Sequence, residues 1–364
     1  MGLQCGIVGL PNVGKSTIFN ALTAAGIAAE NYPFCTIEPN AGIVVVPDAR
    51  LQALDDIVHS KQVVPAVVEF VDIAGLVRGA SQGEGLGNQF LGHIRETNSI
   101  AHVVRCFEDE NVTHVDGEPD PLRDVETIET ELALADLATV EKRLDRVQRQ
   151  AKSGDKDARA QEAMFESLLT HLSEGGAARR FEVSDTLRPA LRDCHLLTDK
   201  PVLYVANVDE AGLAEGNAWS TTLEQHAASE GAGAVRLCGK VEAELSELAD
   251  SDKLEFLADL GIAEPGLHRL VHATYSLLDL ITFFTAGEKE VRAWTLRRGT
   301  AAPQAAGEIH TDFERGFIRA EIIAFDDYIA AGSEAEAKNR GTLRVEGKEY
   351  VLADGDVAHF RVGV

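Results

Sequence analysis

No apolar run in the chain approaches the roughly 20 residues that a membrane span requires. The N-terminus lacks a basic segment leading into an apolar one, so a secretory leader is not expected. Met1-Gly2 is not followed by Ser or Thr at position 6, and the last residue is Val364, so lipid attachment is not expected either. Basic residues are scarce. Lys and Arg number 34 against 59 Asp and Glu, and the net charge of −25 argues against coating nucleic acid by bulk attraction. The local exception lies between Glu141 and Arg159, where Lys142, Arg143, Arg146, Arg149, Lys152, Lys156 and Arg159 outnumber four acidic residues. Such a run reads first as a solvated helical face. The five cysteines (5, 35, 106, 194 and 238) are odd in number and lack metal-ligand spacing, which points to reduced thiols in the cytoplasm.

What the chain does have is Gly9-Leu-Pro-Asn-Val-Gly-Lys-Ser-Thr17, with the spacing of a phosphate-binding P-loop. An apolar stretch, Leu3–Val8, precedes it, and Ile18, Leu22 and Ala25 follow at helical spacing. Glycines let backbone N–H groups close around a polyphosphate, and the helix N-terminus adds its dipole. Asn12, Val13, Gly14, Lys15, Ser16 and Thr17 are therefore candidate phosphate ligands. Lys15 is expected to reach the β/γ-phosphates, and the Ser16 hydroxyl to ligate Mg²⁺.

Strand-like and helical patterns alternate to about residue 250, which predicts an α/β fold: a parallel sheet with helices on both faces. Strands are expected near Leu3–Val8, Ala41–Val46, Val67–Asp72, Ala101–Cys106, Val202–Asn207 and Ala234–Leu237. The gap between the fourth and fifth is too long for one crossover. Within it Val125 to Ala151, and then Phe165 to Leu172, repeat apolar residues three and four apart around a Ser153-Gly154-Asp155 break, which predicts two long antiparallel helices. From Ile281 onward short β-like runs dominate: Ile281–Thr285, Val291–Thr295, Phe317–Ile323, Thr342–Val345, Tyr350–Leu352 and His359–Val362. Helices are expected from Ala301 and over Ser333–Arg340, so this is a separate α+β module. The domains are read as 1–280, with a helical insert at about 125–195, and 281–364.

Asp72-Ile73-Ala74-Gly75 ends the third expected strand, at the carboxyl edge where such sheets bind ligands. Asp72 is placed to hold Mg²⁺ through water, and the Gly75 N–H to sense the γ-phosphate. Thr36 is placed to give a second Mg²⁺ ligand, in a loop that orders with nucleotide. The glycine-rich stretch 79–87 reads as a second switch. Ras-type switches use a Gln at position 76 to orient the attacking water. Leu76 has no group for that task, so His93, His102 and His114 are candidates to supply it. After the fifth strand, Asn207-Val208-Asp209-Glu210 stands where guanine-specific proteins carry Asn-Lys-x-Asp. Val208 and the longer Glu210 dismantle the guanine clamp, which makes ATP the expected nucleotide. Cys35, beside Thr36, reads first as a small apolar residue under its loop. Its oxidation would place a polar group next to a metal ligand and lower turnover reversibly.

With residues 9–17, Tyr32–Asn40, Asp72–Leu91 and Asn207–Glu210 quoted, the chain resembles the Obg-like ATPase, or YchF, family nearly end to end. Ile281–Val364, with Phe284-Thr-Ala-Gly-Glu-Lys-Glu-Val-Arg-Ala-Trp-Thr295 and His310–Arg319, is similar to that family's TGS domain, which has a β-grasp fold. The resemblance implies a Mg²⁺-dependent ATPase with a coiled-coil insert that associates with the ribosome (50S or 70S) and regulates translation or the stress response. It implies His114 as the catalytic group with Lys15, and adenine contacts from the backbone at Val208. Gly239 departs mildly from the family, where a small residue such as Ala is usual. K⁺ beside Asn12 is held open as an additional cation. A cytoplasmic monomer is expected, with no membrane and no sequence-specific DNA partner. A GTPase of the Obg type is the alternative.

Overall fold

The computed structural model describes residues 3–24, 40–73, 75, 79, 86–115 and 117–363. Its strands are β1 (Gln4–Val8), β2 (Ala41–Val45), β3 (Val63–Val64), β4 (Val67–Asp72), β5 (Ser99–Cys106) and β6 (Val202–Val208). They continue as β7 (Gly233–Leu237), β8 (Leu280–Ala286), β9 (Val291–Arg297), β10 (Phe317–Ala324), β11 (Arg344–Glu346) and β12 (Asp356–Val362). The helices used below are α1 (Lys15–Ala24), α2 (Ala49–Val58), α3 (Leu86–Glu96), α4 (Pro121–Ala151) and α5 (Lys156–Ser173). The chain forms two compact units, Met1–Gly42 with Glu69–Leu270, and Ile43–Val68 with Val271–Val364. Residues 43–68 thus group with the C-terminal residues.

The first sheet has the order β2-β4-β1-β5-β6-β7. Its registered pairs from β4 to β7 are all parallel. Strands β5 and β6 are buried along their whole length, as strands covered on both faces must be, which explains their mostly apolar sequence and leaves Ser99, His102, Arg105 and Asn207 as buried polar exceptions. Ile7 pairs with Asp72, Val8 with His102, and Arg105 with Asn207. That register brings the carboxyl ends of β1, β4, β5 and β6 to one edge.

The two long insert helices form where the apolar repeat places them. Asp120 caps α4 by accepting from the Arg123 N–H, with Pro121 in the first turn, where its missing donor costs nothing. Asp155 caps α5 by accepting from the N–H groups of Asp157 and Ala158. Val140, Val147, Ala151, Phe165, Leu168 and Leu172 close the seam between them. Each fully buried Leu or Phe there contributes about 1.5–3 kcal/mol of transfer free energy. Lys142, Arg146, Arg149, Lys152, Lys156 and Arg159 point to solvent, as a charged helical face does. The insert is pinned to the start of β6 by buried Asp136, which accepts from Leu197 N, Thr198 N and Thr198 Oγ1 at 2.7–2.8 Å.

In the second unit the sheet order is β11-β10-β12-β8-β9-β3. β8 and β9 form an antiparallel hairpin, and β12 runs parallel to β8. The helix Ala302–Ile309 lays Ala302, Ala305 and Ala306 on Phe283, Leu296 and Phe360, the packing of an α+β module. Small residues at that spacing let helix and sheet approach closely. Residues 350–352, expected as a strand, make only one bridge, from Val351 to Ala301. α2 joins this unit through Arg50, whose guanidinium bonds Asp48 and Asp354 and lies 5.2 Å from the Phe284 ring centroid.

Candidate nucleotide site

The site begins where β1 ends. Asn12 (φ 62°) and Gly14 (φ 97°) both adopt left-handed backbone, which turns the chain tightly into α1. A Cβ at Gly14 would stand 2.2 Å from Asn207 Nδ2, so both its conformation and its neighbour require glycine. Lys15 opens α1 with its ammonium buried, where Nζ donates to Leu10 O at 2.7 Å. Burial lowers its pKa to about 8, and the charge of Asp72 works in the opposite direction. A polyphosphate would supply the countercharge this ammonium lacks in water's absence.

Asp72 comes from the end of β4. Ser16 Oγ donates to Asp72 Oδ2 at 3.0 Å. The other carboxylate oxygen, Oδ1, is buried and has no hydrogen-bond partner among the described residues. A hydroxyl and a carboxylate with one unsatisfied oxygen form a donor set suited to Mg²⁺, a hard cation bound by oxygen. Gly75 lies against the P-loop: a Cβ there would meet Pro11 N and Cγ at 3.0 Å. Its main chain therefore approaches the loop closely. Thr36, Leu76 and Cys35 lie outside the described residues.

At the far end Asn207 works as a brace. Its Nδ2 donates to Val13 O at 2.8 Å, and its Oδ1 accepts from Gly239 N at 2.9 Å. Both amide ends therefore hold backbone. Val208 is 1% exposed, Asp209 Oδ1 accepts from Gly212 N, and Glu210 is exposed at the end of β6. At Gly239 a Cβ would find Ile18 and Asn207 atoms only at 3.4–3.6 Å, so the glycine is not forced and an alanine would fit.

A cavity of about 850 Å³ joins these parts, in the size range of small-ligand sites. Of the expected residues, Asn12, Gly14, Lys15, Ser16, Thr17, Asn207, Val208 and Glu210 line it. Val13 contributes only its carbonyl, held by Asn207. Phe107, Asp109 and Val112, from the segment after β5, also line it and were not singled out from the sequence. Nothing in their spacing marks them, because an irregular segment carries no periodic signal. Lys15 stands at one end of the cavity, while Glu108, Asp109, Glu210 and Glu244 border the rest. Lys240 also lines it, so the buried ammonium of Lys15 marks the P-loop end and the remainder is mostly, not wholly, acidic.

The three candidate histidines fall into different places. His93 is exposed on α3. His102 is buried in β5 against Tyr204, with ring centroids 5.6 Å apart. Burial above all, with the charge of Arg179 next, lowers its pKa to about 3, so it is a neutral core residue. His114 sits beyond the cavity wall, buried, with Nε2 2.9 Å from Asp124 Oδ2. Its neighbour Thr113 is tied to the phosphate loop, because Asn12 Nδ2 donates to Thr113 O at 3.1 Å.

The family described as "50S ribosome-binding GTPase" matches residues 4–143, and a YchF GTPase C-terminal family, described as a protein of unknown function, matches residues 280–363. The chain is 55% identical to the ribosome-binding ATPase YchF of Pasteurella multocida and 54% identical to that of Bacillus subtilis, across the full length of both partners in each case. A solved structure of the Schizosaccharomyces pombe YchF GTPase is 37% identical and superposes with a TM-score of 0.89 over 99% of this chain and 98% of that one.

Proposed function

The chain belongs to the YchF family, and from that membership we propose that it is an ATP hydrolase of the P-loop switch type acting at the ribosome. One observation carries the reading most directly. Ser16 Oγ and Asp72 Oδ2 meet 3.0 Å apart, beside a buried Asp72 oxygen without a described partner and next to the buried ammonium of Lys15. Ser16 and Asp72, with Thr36, would hold Mg²⁺, whose positive charge would offset the negative charge of the β/γ-phosphates. Lys15 exchanges Leu10 O for a phosphate oxygen. The main chain around Gly14 and the N-terminus of α1 receive the β-phosphate. Gly75, packed on Pro11, reports the γ-phosphate to the second switch. His114 orients the attacking water, the task that Leu76 cannot perform. A second cation, K⁺ beside Asn12, is tested by exchange for Na⁺: a fall in turnover supports it.

Nucleotide choice rests on Val208 and Glu210. An aliphatic residue buried in the sheet and a carboxylate one methylene longer than Asp leave no clamp for the guanine N1–H and N2–H₂. The relatives' names divide here, since the bacterial proteins are called ATPases and the S. pombe protein a GTPase. Direct competition binding decides between the readings, and ATP should displace a labelled nucleotide at lower concentration than GTP. Lys15→Ala and Ser16→Ala should abolish phosphate release, and normal turnover in either variant would place hydrolysis elsewhere. The partner is the ribosome, through its 50S subunit or the 70S particle. Cosedimentation with ribosomes, stronger with a non-hydrolysable ATP analogue than with ADP, tests that assignment. We place the protein in the cytoplasm as a monomer, and among the described residues no helix is long and apolar enough to cross a membrane.

A further inference from the structure

Arg105, one residue before the end of β5, is 2% exposed, yet among the described residues it forms no ion pair with a carboxylate. Its guanidinium donates instead to three main-chain carbonyls of the segment that follows. Nε reaches Phe107 O at 3.1 Å, Nη1 reaches Val112 O at 2.8 Å and Nη2 reaches Asp109 O at 3.2 Å. The same guanidinium lies 4.6 Å from the centroid of the Phe107 ring. A buried cation is costly unless its donors are satisfied, and here three carbonyl dipoles, a ring face and the more distant charges of Asp109 and Asp124 offset that cost. The planar guanidinium spreads its donors over three nitrogens, each reaching a different carbonyl, and lysine's three N–H groups on one nitrogen cannot reproduce that spread.

Those carbonyls belong to the irregular wall of the nucleotide cavity. Phe107, Asp109 and Val112 face the cavity, and Thr113 O is held by Asn12 of the phosphate loop. Within the segment Val112 N closes a turn on Asp109 O, and the Asp109 carboxylate accepts from Asn111 N and Nδ2; the Arg105 guanidinium ties both ends of that turn back to β5. We propose that Arg105 is a positioning residue for the nucleoside half of the site. It shapes residues 107–112 into the wall on which base and ribose pack, so its loss weakens nucleotide binding without touching the phosphate end. This rests on, and sharpens, the assignment of the cavity to a nucleoside triphosphate.

The test compares the full-length parent with Arg105→Lys and Arg105→Gln, titrating ATP and inorganic tripolyphosphate separately in the presence of Mg²⁺. Tripolyphosphate engages Lys15 and the P-loop but has no nucleoside. The expected result is a Kd for ATP raised about tenfold or more in both variants, with the Kd for tripolyphosphate within about twofold of the parent. KM for ATP should rise more than kcat falls. If Arg105→Gln does not fold, as judged by its thermal transition, Arg105→Lys carries the measurement. Unchanged ATP binding in Arg105→Lys, or an equal loss for both ligands, overturns the proposal. A parent that binds tripolyphosphate but not ATP overturns the nucleotide reading itself, and this role for Arg105 with it.

Discussion

His114 Nε2 and Asp124 Oδ2 lie 2.9 Å apart, with the two side chains only 1% and 2% exposed. The histidine comes from the segment after β5 and the aspartate from the first turn of α4, so the pair joins the cavity wall to the base of the helical insert. A carboxylate in this place fixes the imidazole's orientation, as the third group behind a catalytic base does.

Turnover should therefore depend on both residues. His114→Ala is expected to slow single-turnover hydrolysis by about 10²–10⁴ while leaving ATP affinity nearly intact. Asp124→Asn, which keeps the shape but removes the charge, should slow it too, and the double variant should be no slower than the worse single one. Fully additive effects would mean that the two residues do not act as a unit.

Asn207→Ala should affect stability and affinity together. It removes the brace from Val13 O and Gly239 N, and leaving a buried backbone group unpaired costs about 1–3 kcal/mol. Lower thermal stability with at least about tenfold weaker nucleotide binding is expected. An unaffected melting temperature would show that the P-loop and the Gly239 turn hold their shapes independently.

Nucleotide preference should move with the end of β6. Val208→Lys combined with Glu210→Asp is expected to shift the ATP-to-GTP affinity ratio toward GTP. Burial of Val208 limits the size of that shift, because the new ammonium must find room and a partner. A ratio that stays constant in competition titrations would show that base choice resides elsewhere.

Acid should destabilise the protein through His102. Its pKa is about 3 in the folded chain against 6.5 for an unperturbed histidine, so below pH 6.5 the unfolded state takes up a proton that the folded state refuses. The stability from its neutral form is complete above pH 6.5 and is lost progressively as pH falls toward 3. His102→Phe should flatten the fall in melting temperature across this window. Identical acid profiles for variant and parent would remove His102 as the cause.

Much of the fold was legible because its signals are local. Six strands of the first sheet appear where apolar runs place them, and the insert helices follow three-and-four spacing between the capping residues Asp120 and Asp155. The helices Ala49–Val58 and Phe325–Ala331 were not expected, although Glu334–Arg340, as short as the latter, was: over so few residues periodicity registers unevenly. His102 and His114 were equivalent as letters. The strand around His102 was legible from its apolar run, but the Asp124 carboxylate beside His114 was not, because it comes from another element.

By itself the sequence marked out the proposed phosphate end of the site. Gly14, Lys15 and Ser16 act through backbone turning and a helix N-terminus, all within nine consecutive residues, so no distant partner is needed to recognise them. Tertiary structure alone decided the rest. Parallel register sets Arg105 beside Asn207, sending one to shape the cavity wall and the other to brace a loop 194 residues away. It also brings Asp72 to Ser16 and carries residues 43–68 into the C-terminal unit. The physical reason is that a side chain's role depends on which buried donors and acceptors remain to be satisfied around it, and those are defined only once distant strands have paired.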